Sequence, residues 1–362
     1  MSDLHVKDYV FRKGAAKRIP VSGTFELTGR CNLNCKMCYV HLSAAEQAAL
    51  GRELTTREWI DLGRQAVEGG MIYLLLTGGE PLLRPDFAEI YTALINMGLM
   101  ITINTNATLI TKRIVELFKI HRPEKVNVTL YGMSQETYGD LCGGCGSFEK
   151  AMKGIRMLKD AGVRLNLNTT FTKKNVQDLD AIVNFAKENG IPVRMTGFIF
   201  PPVRNHHETE DIYLTPAQMG VWSAYFDKLT LTPQRLEQRR AMIRGCLEAE
   251  PLPEDPEACS FSSCMAGRGA FWIAWDGKMY PCGMLPEFSR DVKTLGFTKA
   301  WKEICEQTKT MKVPPECNSC RYQKLCPSCA AVSISLTGQT DGLPRELCER
   351  TKAYAEAFLQ EA

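Results

Sequence analysis

From residue 21 to residue 200 the chain alternates short apolar or β-branched runs with longer segments whose apolar residues recur at helical spacing. Residues 23–27, 71–76, 100–104, 126–130, 165–171 and 193–200 fit strands, and residues 56–67, 86–97, 112–120, 148–161 and 176–188 fit helices. Parallel neighbours cannot be joined by a tight hairpin, so six β-α units of this kind imply parallel strands with helical crossovers. The expected fold class is α/β, a partial (β/α)6 TIM-like barrel with its active site at the C-terminal ends of the strands.

Residues 201–256 are rich in charge and proline and predict a partly helical bridge, with helices over 215–229 and 234–247. Beyond residue 257 the pattern changes to short segments punctuated by Cys, Gly and Pro, closed by a helix from about Arg345. The expected organisation is an N-terminal segment 1–20, a barrel 21–200, the bridge 201–256 and a small cysteine-rich domain 257–362. That last region has too little apolar periodicity for a core of its own, so bound metal should supply much of its stability.

Composition narrows the function. The net charge of +3 over 362 residues is small, and Lys and Arg are spread among Asp and Glu, which predicts no nucleic-acid partner. The longest apolar run, residues 71–76, is too short to span a bilayer, and no continuous apolar segment follows the charges of the N-terminus. The expected location is the cytoplasm, with no membrane association. Fifteen cysteines is then a heavy load, because cytosolic thiols stay reduced, so metal binding or redox chemistry becomes the default explanation. Three lie near the start, Cys142 and Cys145 in the middle, and ten beyond residue 240.

In ELTGRCNLNCKMCYV, Cys31, Cys35 and Cys38 stand at CxxxCxxC spacing just after the first strand. Three thiolates so placed can bind three irons of one cubane and leave the fourth iron open to a chelating molecule. The spacing alone also admits a zinc site, with His41 as the nearby fourth ligand, or three buried structural cysteines. The second strand ends in LLLTGGEP, residues 74–81, a Gly-rich turn that alone could be no more than a turn.

CxxxCxxC after the first strand, with GGE after the second, is similar to the signature of the radical S-adenosylmethionine superfamily. The resemblance covers residues 20–200. It implies a 4Fe-4S cluster on Cys31, Cys35 and Cys38, with S-adenosylmethionine at its open iron. Gly78, Gly79 and Glu80 would meet the methionyl amino group, where glycine lets backbone approach and a carboxylate suits an ammonium. Asn104 and Thr129, ending the third and fourth strands, would hydrogen-bond the ribose and carboxylate. Met37 stands before the third cysteine, a position often aromatic in the family, and would pack near the adenine.

The C-terminal cysteines resemble the SPASM extension of the same superfamily, which makes the expected C-terminal domain an iron-sulfur domain. Twelve residues separate Cys264 from Gly277 and four separate Gly277 from Cys282, with Cys317, Cys320, Cys326, Cys329 and Cys348 following. The resemblance implies two auxiliary 4Fe-4S clusters, one on Cys259, Cys264, Cys282 and Cys329, the other on Cys317, Cys320, Cys326 and Cys348. Cys326 and Cys329 are separated by two residues where the family usually has three. By spacing alone the two CxxC pairs equally describe a zinc ribbon. Cys142, Cys145, Cys246 and Cys305 stay unassigned; the first two, in LCGGCGSF, are expected in a loop on the cofactor face, as a redox pair, as substrate contacts or as cysteines without a task. His206 and His207 are expected to be solvated or structural.

The function implied is reductive cleavage of S-adenosylmethionine to a 5'-deoxyadenosyl radical that modifies a peptide or protein, by thioether or carbon-carbon crosslink, epimerisation or oxidation. An electron donor such as flavodoxin or ferredoxin is then required. About thirty residues precede Cys31, too few for a leader-binding domain, so a separate recognition protein, or the bridge near Tyr213 to Phe226, would select the peptide. Gly283 follows Cys282 where sulfatase maturases carry an acid, which argues against that activity. The alternatives are radical oxidation or decarboxylation of a small molecule or cofactor, protein oxidation like that of anaerobic sulfatase maturases, and a zinc-stabilised binding module without catalysis. No residue is singled out as general acid or base.

Overall fold

The computed structural model describes residues 6–144, 146–203, 212–248, 264–327 and 329–360. Its first half runs α1 (Val6–Lys17), β1 (Ser22–Glu26), α2 (Ala44–Leu50), α3 (Thr56–Glu68), β2 (Tyr73–Thr77), α4 (Phe87–Asn96), β3 (Met100–Thr105), α5 (Lys112–Ile120), β4 (Lys125–Thr129), α6 (Gln135–Cys142), α7 (Ser147–Asp160), β5 (Leu165–Thr170), α8 (Leu179–Glu188) and β6 (Val193–Thr196). There follow α9 (Pro216–Thr230), α10 (Pro233–Glu248), β7 (Ala270–Ile273), β8 (Lys278–Tyr280), β9 (Arg290–Asp291), α11 (Val292–Leu295), α12 (Phe297–Thr308), α13 (Pro315–Asn318), α14 (Ala330–Thr337) and α15 (Arg345–Leu359).

The expected α/β architecture is present: β1 to β6 are parallel, in order β6-β5-β4-β3-β2-β1, joined by helical crossovers in a partial barrel. Helix starts follow local chemistry. Thr55 caps α3 in a reciprocal box with Glu58, and Thr215 does the same for α9 with Gln218. The sixth strand is shorter than its apolar run, ending at Thr196 instead of Phe200.

Every barrel strand has two unlike faces. Phe25, Leu74, Leu76, Ile101, Ile103, Val126, Val128, Leu165 and Leu167 are buried under Trp59, Ile90, Tyr91, Phe118, Ile155 and Leu158 of the surrounding helices. Burying side chains of this size stabilises by roughly 1.5–3 kcal/mol each. The opposite, inner face is mixed near the N-terminal ends of β1 to β4 and polar toward their C-terminal ends. Thr24 pairs with Leu75, Leu75 with Thr102 and Thr102 with Lys125. Asn104, Asn127 and Asn166 stand side by side on β3, β4 and β5, and Thr129 is level with Asn168.

The sheet continues past β1 into the C-terminal region. β7 pairs parallel with β1, and β8 and β9 add antiparallel strands, making nine among the described residues. Phe271, Ile273, Phe297, Trp301 and Ile304 therefore belong to the barrel's own apolar core. On the other side the bridge helices α9 and α10 bury Ala224 and Ile243 against Tyr354, Ala355 and Phe358 of α15. Residues after 264 thus draw packing from the barrel and the bridge.

Candidate functional site

The loop after β1 is held in place before its cysteines are reached. Arg84 is almost fully buried and donates to the carbonyls of Leu27 (3.0 Å) and Leu54 (3.2 Å). Its charge is met by Asp86 at 2.7 Å and Glu53 at 3.2 Å. Glu53 also accepts from Thr28, from Gln47 (2.7 Å) and from Arg30 (3.2 Å). Burial works against its charge, but these donors win and hold the carboxyl below the usual range.

Cys31, Cys35 and Cys38 follow in one loop, each within electrostatic reach of another. The Cys31 sulfur accepts from the Leu33 N–H (3.4 Å) and from Asn106 Nδ2 (3.7 Å). The backbone N–H groups of Val40 and His41 serve Cys38, and the Cys142 thiol is hydrogen-bonded to Cys35. Burial pushes the Cys38 thiol up to about 12 and Cys31 well above the ordinary value. A cationic centre would replace those protons, which is the chemistry of a metal site. Among the described residues no group of three ligands is gathered around a single-ion position. A cubane asks for something else, since each thiolate binds its own iron.

The Gly-Gly-Glu turn docks on this loop by backbone: Gly79 N–H donates to the Thr28 carbonyl (2.8 Å) and Glu80 N–H to that of Arg30 (2.9 Å). A Cβ on Gly78, whose φ is +149°, would come within 2.4 Å of the Thr28 oxygen. Glu80 is fully buried, and its carboxylate accepts from Thr105 Oγ1 (2.9 Å to each oxygen), the Asn106 N–H (2.8 Å) and the Leu82 N–H (3.0 Å). Burial raises its pKa to about 7 against these donors.

Asn104 and Thr129 lie on the inner face near the strand ends, and Asn104 Oδ1 accepts from Asn127 Nδ2 (2.8 Å). Asn127 Oδ1 is buried with no hydrogen-bond partner among the described residues, the chemistry of a site that takes an N–H or O–H from a bound molecule. Met37 is buried in the main apolar cluster. Glu26, buried at the end of β1, accepts from the Trp272 indole of β7 (2.8 Å), so the C-terminal region also lines the barrel. Two concavities of about 410 and 610 Å³ lie at the opposite, N-terminal ends of β3 to β6, around Arg122 and Arg194.

The described C-terminal cysteines lie near one another in space. Cys317, Cys320, Cys326 and Cys348 are within electrostatic reach of one another, and the Thr351 hydroxyl donates to Cys326. Cys264 faces Cys329, and both border the apolar cluster of Leu285, Met311 and Val313, as does Cys282. Cys259 lies outside the described residues, as do Cys145, His206 and His207. Cys246 and Cys305 are buried.

Cys142 corrects the loop placement expected for it. It is the last residue of α6 and fully buried, and its carbonyl accepts from the Asn34 N–H (2.9 Å) of the cysteine loop. Sequence reasoning also passed over Asn127, Asn166 and Asn168. The signal was available in VNVT and LNLNTT, where polar residues alternate with apolar ones at the strand period.

A partial barrel with hydrogen-bonding groups on its inner face and three clustered thiols at its C-terminal mouth carries a donor set suited to a metal cofactor. Comparison with known proteins agrees. Residues 25–186 match the Radical SAM superfamily model. The chain is 31% identical over 330 residues to the AdoMet-dependent heme synthase of Methanosarcina barkeri, covering 87% of this chain and 92% of that one. It is 26% identical over 340 residues to the PqqA peptide cyclase of Ruegeria pomeroyi, covering 88% and 84%. In fold it is similar to the crystal structure of Streptococcus suis SuiB, with TM-score 0.68 and 19% identity over 93% of this chain and 80% of that one.

The chain belongs to the radical SAM superfamily and is an enzyme. Membership brings S-adenosylmethionine and a 4Fe-4S cluster as its cofactors. Among the described residues no helix is long and apolar enough to cross a membrane.

Proposed function

We propose that Cys31, Cys35 and Cys38 hold the 4Fe-4S cluster, and that the protein modifies a peptide or protein substrate by radical chemistry. Bound together, cluster and S-adenosylmethionine supply one-electron cleavage of a carbon-sulfur bond and a primary radical that removes hydrogen from substrate. The chain's own part is to bind and orient. Glu80 ties the turn after β2 to the end of β3, Gly78 and Gly79 bring it against the cysteine loop, and Asn104, Asn127 and Thr129 offer hydrogen bonds to the cofactor. Cys259, Cys264, Cys282 and Cys329, with Cys317, Cys320, Cys326 and Cys348, would hold two auxiliary clusters of a SPASM module, which would supply one-electron transfer chemistry.

The observation that carries the peptide reading is the inner face itself. Asn166, Asn168 and Thr170 of β5 and Thr196 of β6 extend the row of amide and hydroxyl groups across the sheet toward the same C-terminal mouth. Such groups pair with peptide amides, whereas a flat apolar macrocycle would ask for apolar walls. A second reading, oxidation or decarboxylation of a tetrapyrrole, rests on the identity to the heme synthase along most of both chains. The test is anaerobic turnover of the reconstituted enzyme with S-adenosylmethionine and a reductant, comparing candidate peptides with iron-coproporphyrin. Deoxyadenosine rising with a peptide that loses hydrogen supports the first reading; carbon dioxide released from the porphyrin, with peptides inert, overturns it.

A further inference from the structure

Two cations on the inner face play no part in the site described above. Lys125 opens β4 and is level with Thr102 on that face. Arg194 of β6 is level with Asn168, so its side chain leaves the sheet on the same side as the asparagine row. Both line the concavity of about 610 Å³, together with Arg164, Lys159 and the buried Asn166. The neighbouring cations have partners: Arg164 pairs with Glu124 (3.3 Å), and Lys159 donates to Asn189 Oδ1 (2.7 Å). Among the described residues the side chains of Lys125 and Arg194 form neither an ion pair nor a hydrogen bond.

Like charges gathered in a concavity repel, and its low-dielectric walls strengthen the repulsion. Burial, then the charges of Arg194 and of Lys7 on α1, hold the Lys125 ammonium below its ordinary value, with Glu124 opposing them. Arg194 is exposed, so packing does not account for its presence. A bound anion offsets such repulsion, and a guanidinium beside an ammonium suits a carboxylate. The strand period places the pair relative to the rest of the face. Lys125 comes two residues before Asn127, whose buried Oδ1 lacks a partner among the described residues, and four before Thr129. At about 3.3 Å per residue these stand roughly 7 and 13 Å nearer the cysteine mouth.

We propose that Lys125 and Arg194 anchor a carboxylate of the substrate at the N-terminal end of the barrel, and so select an acidic substrate that runs from there along the asparagine row toward the cysteine mouth. The inference rests on reading the inner face as the seat of the substrate. On a peptide, the acidic residue should lie about three or four positions from the modified one, the number that spans roughly 13 Å of extended chain. On a tetrapyrrole, the same contact takes a carboxylate at the edge of the macrocycle.

The experiment is competition at Lys125 in the reconstituted full chain with S-adenosylmethionine. Lysines are acetylated with limiting reagent and the modified sites are quantified by mass spectrometry, with exposed Lys299 as the internal reference. The probes are tetraglutamate, iron-coproporphyrin and their uncharged counterparts, tetraglutamine and the porphyrin tetramethyl ester, at equal ionic strength. Acetylation of Lys125 should fall about threefold or more with an acidic probe, stay level with its uncharged counterpart, and not change at Lys299. Arg194→Gln should weaken binding of the protecting probe about tenfold, and Arg194→Lys should recover part of that loss. Neither variant should lower the melting temperature, because no contact of the fold is removed. Protection by tetraglutamate assigns the carboxylate to a peptide; protection by iron-coproporphyrin alone assigns it to a tetrapyrrole. Labelling unchanged by every probe overturns the anchor, as does equal protection by charged and uncharged probes, or parent-like affinity in Arg194→Gln. The underlying reading fails separately: Lys125 protected, yet cofactor cleavage stimulated by neither peptides nor iron-coproporphyrin, would mean that the anion is not a substrate.

Discussion

Gly79 stands so close to Arg30 that a Cβ at position 79 would lie 2.3 Å from the Arg30 carbonyl oxygen. The turn after the second strand is therefore in contact with the cysteine loop by backbone, and that contact positions both.

Gly79→Ala should accordingly separate the two segments, at a cost of about 1–3 kcal/mol for forced overpacking. The expected outcome is a folded protein that binds S-adenosylmethionine poorly and makes little deoxyadenosine, measured by ligand titration and product analysis under anaerobic conditions. Parent-level binding would show that the contact is not needed.

Arg84 is a buried cation shared by two carboxylates and two carbonyls beside the same loop. Replacing it by Met leaves Glu53 and Asp86 without their partner, and should cost about 3 kcal/mol. Urea unfolding of the cofactor-free protein measures this. A change within error would mean that solvent reaches Glu53 and Asp86 and compensates for the loss.

Glu80 couples stability to pH. Its pKa in the fold is raised from 4.5 to about 7 by burial, so the folded state holds a proton that the unfolded chain releases. Its contribution is complete below the unfolded value and is lost as pH rises through the folded one. Melting of cofactor-free protein should thus show falling stability from about pH 5 to about pH 8, and Glu80→Gln should flatten that slope. An equal slope in both proteins would assign the titration to other groups.

Replacing Cys31, Cys35 and Cys38 together by Ala should abolish cofactor cleavage while leaving iron at the C-terminal cysteines, because the loops that hold them are separate. Deoxyadenosine at the parent rate in this variant would refute the central assignment.

Cys317→Ala should lose roughly a third of the iron and much of the product, yet retain some uncoupled cleavage. Cys317 sits with Cys320, Cys326 and Cys348, so the loss should also loosen α15 and lower soluble yield. Cys305→Ser, at a buried cysteine outside the assigned ligands, is the control and should keep its iron. Unchanged iron in a folded Cys317→Ala protein would mean that the ligand grouping is wrong.

The sequence by itself determined the alternation of strands and helices, and with it the parallel barrel, because periods of two and 3.6 are local consequences of backbone geometry. It also determined the cysteine loop and the Gly-Gly-Glu turn, whose residues are contiguous. The tertiary structure decided what depends on packing between distant segments. β7 joins β1 across more than two hundred residues, placing Trp272 against Glu26, and no local period announces such a pairing. Cys142 looked like a loop cysteine because a helix of eight residues, Gln135–Cys142, is too short to stand out by pattern. Its meeting with Cys35 exists only because the fold brings the end of α6 onto the cysteine loop, an encounter governed by burial and backbone hydrogen bonds between residues that the chain keeps far apart.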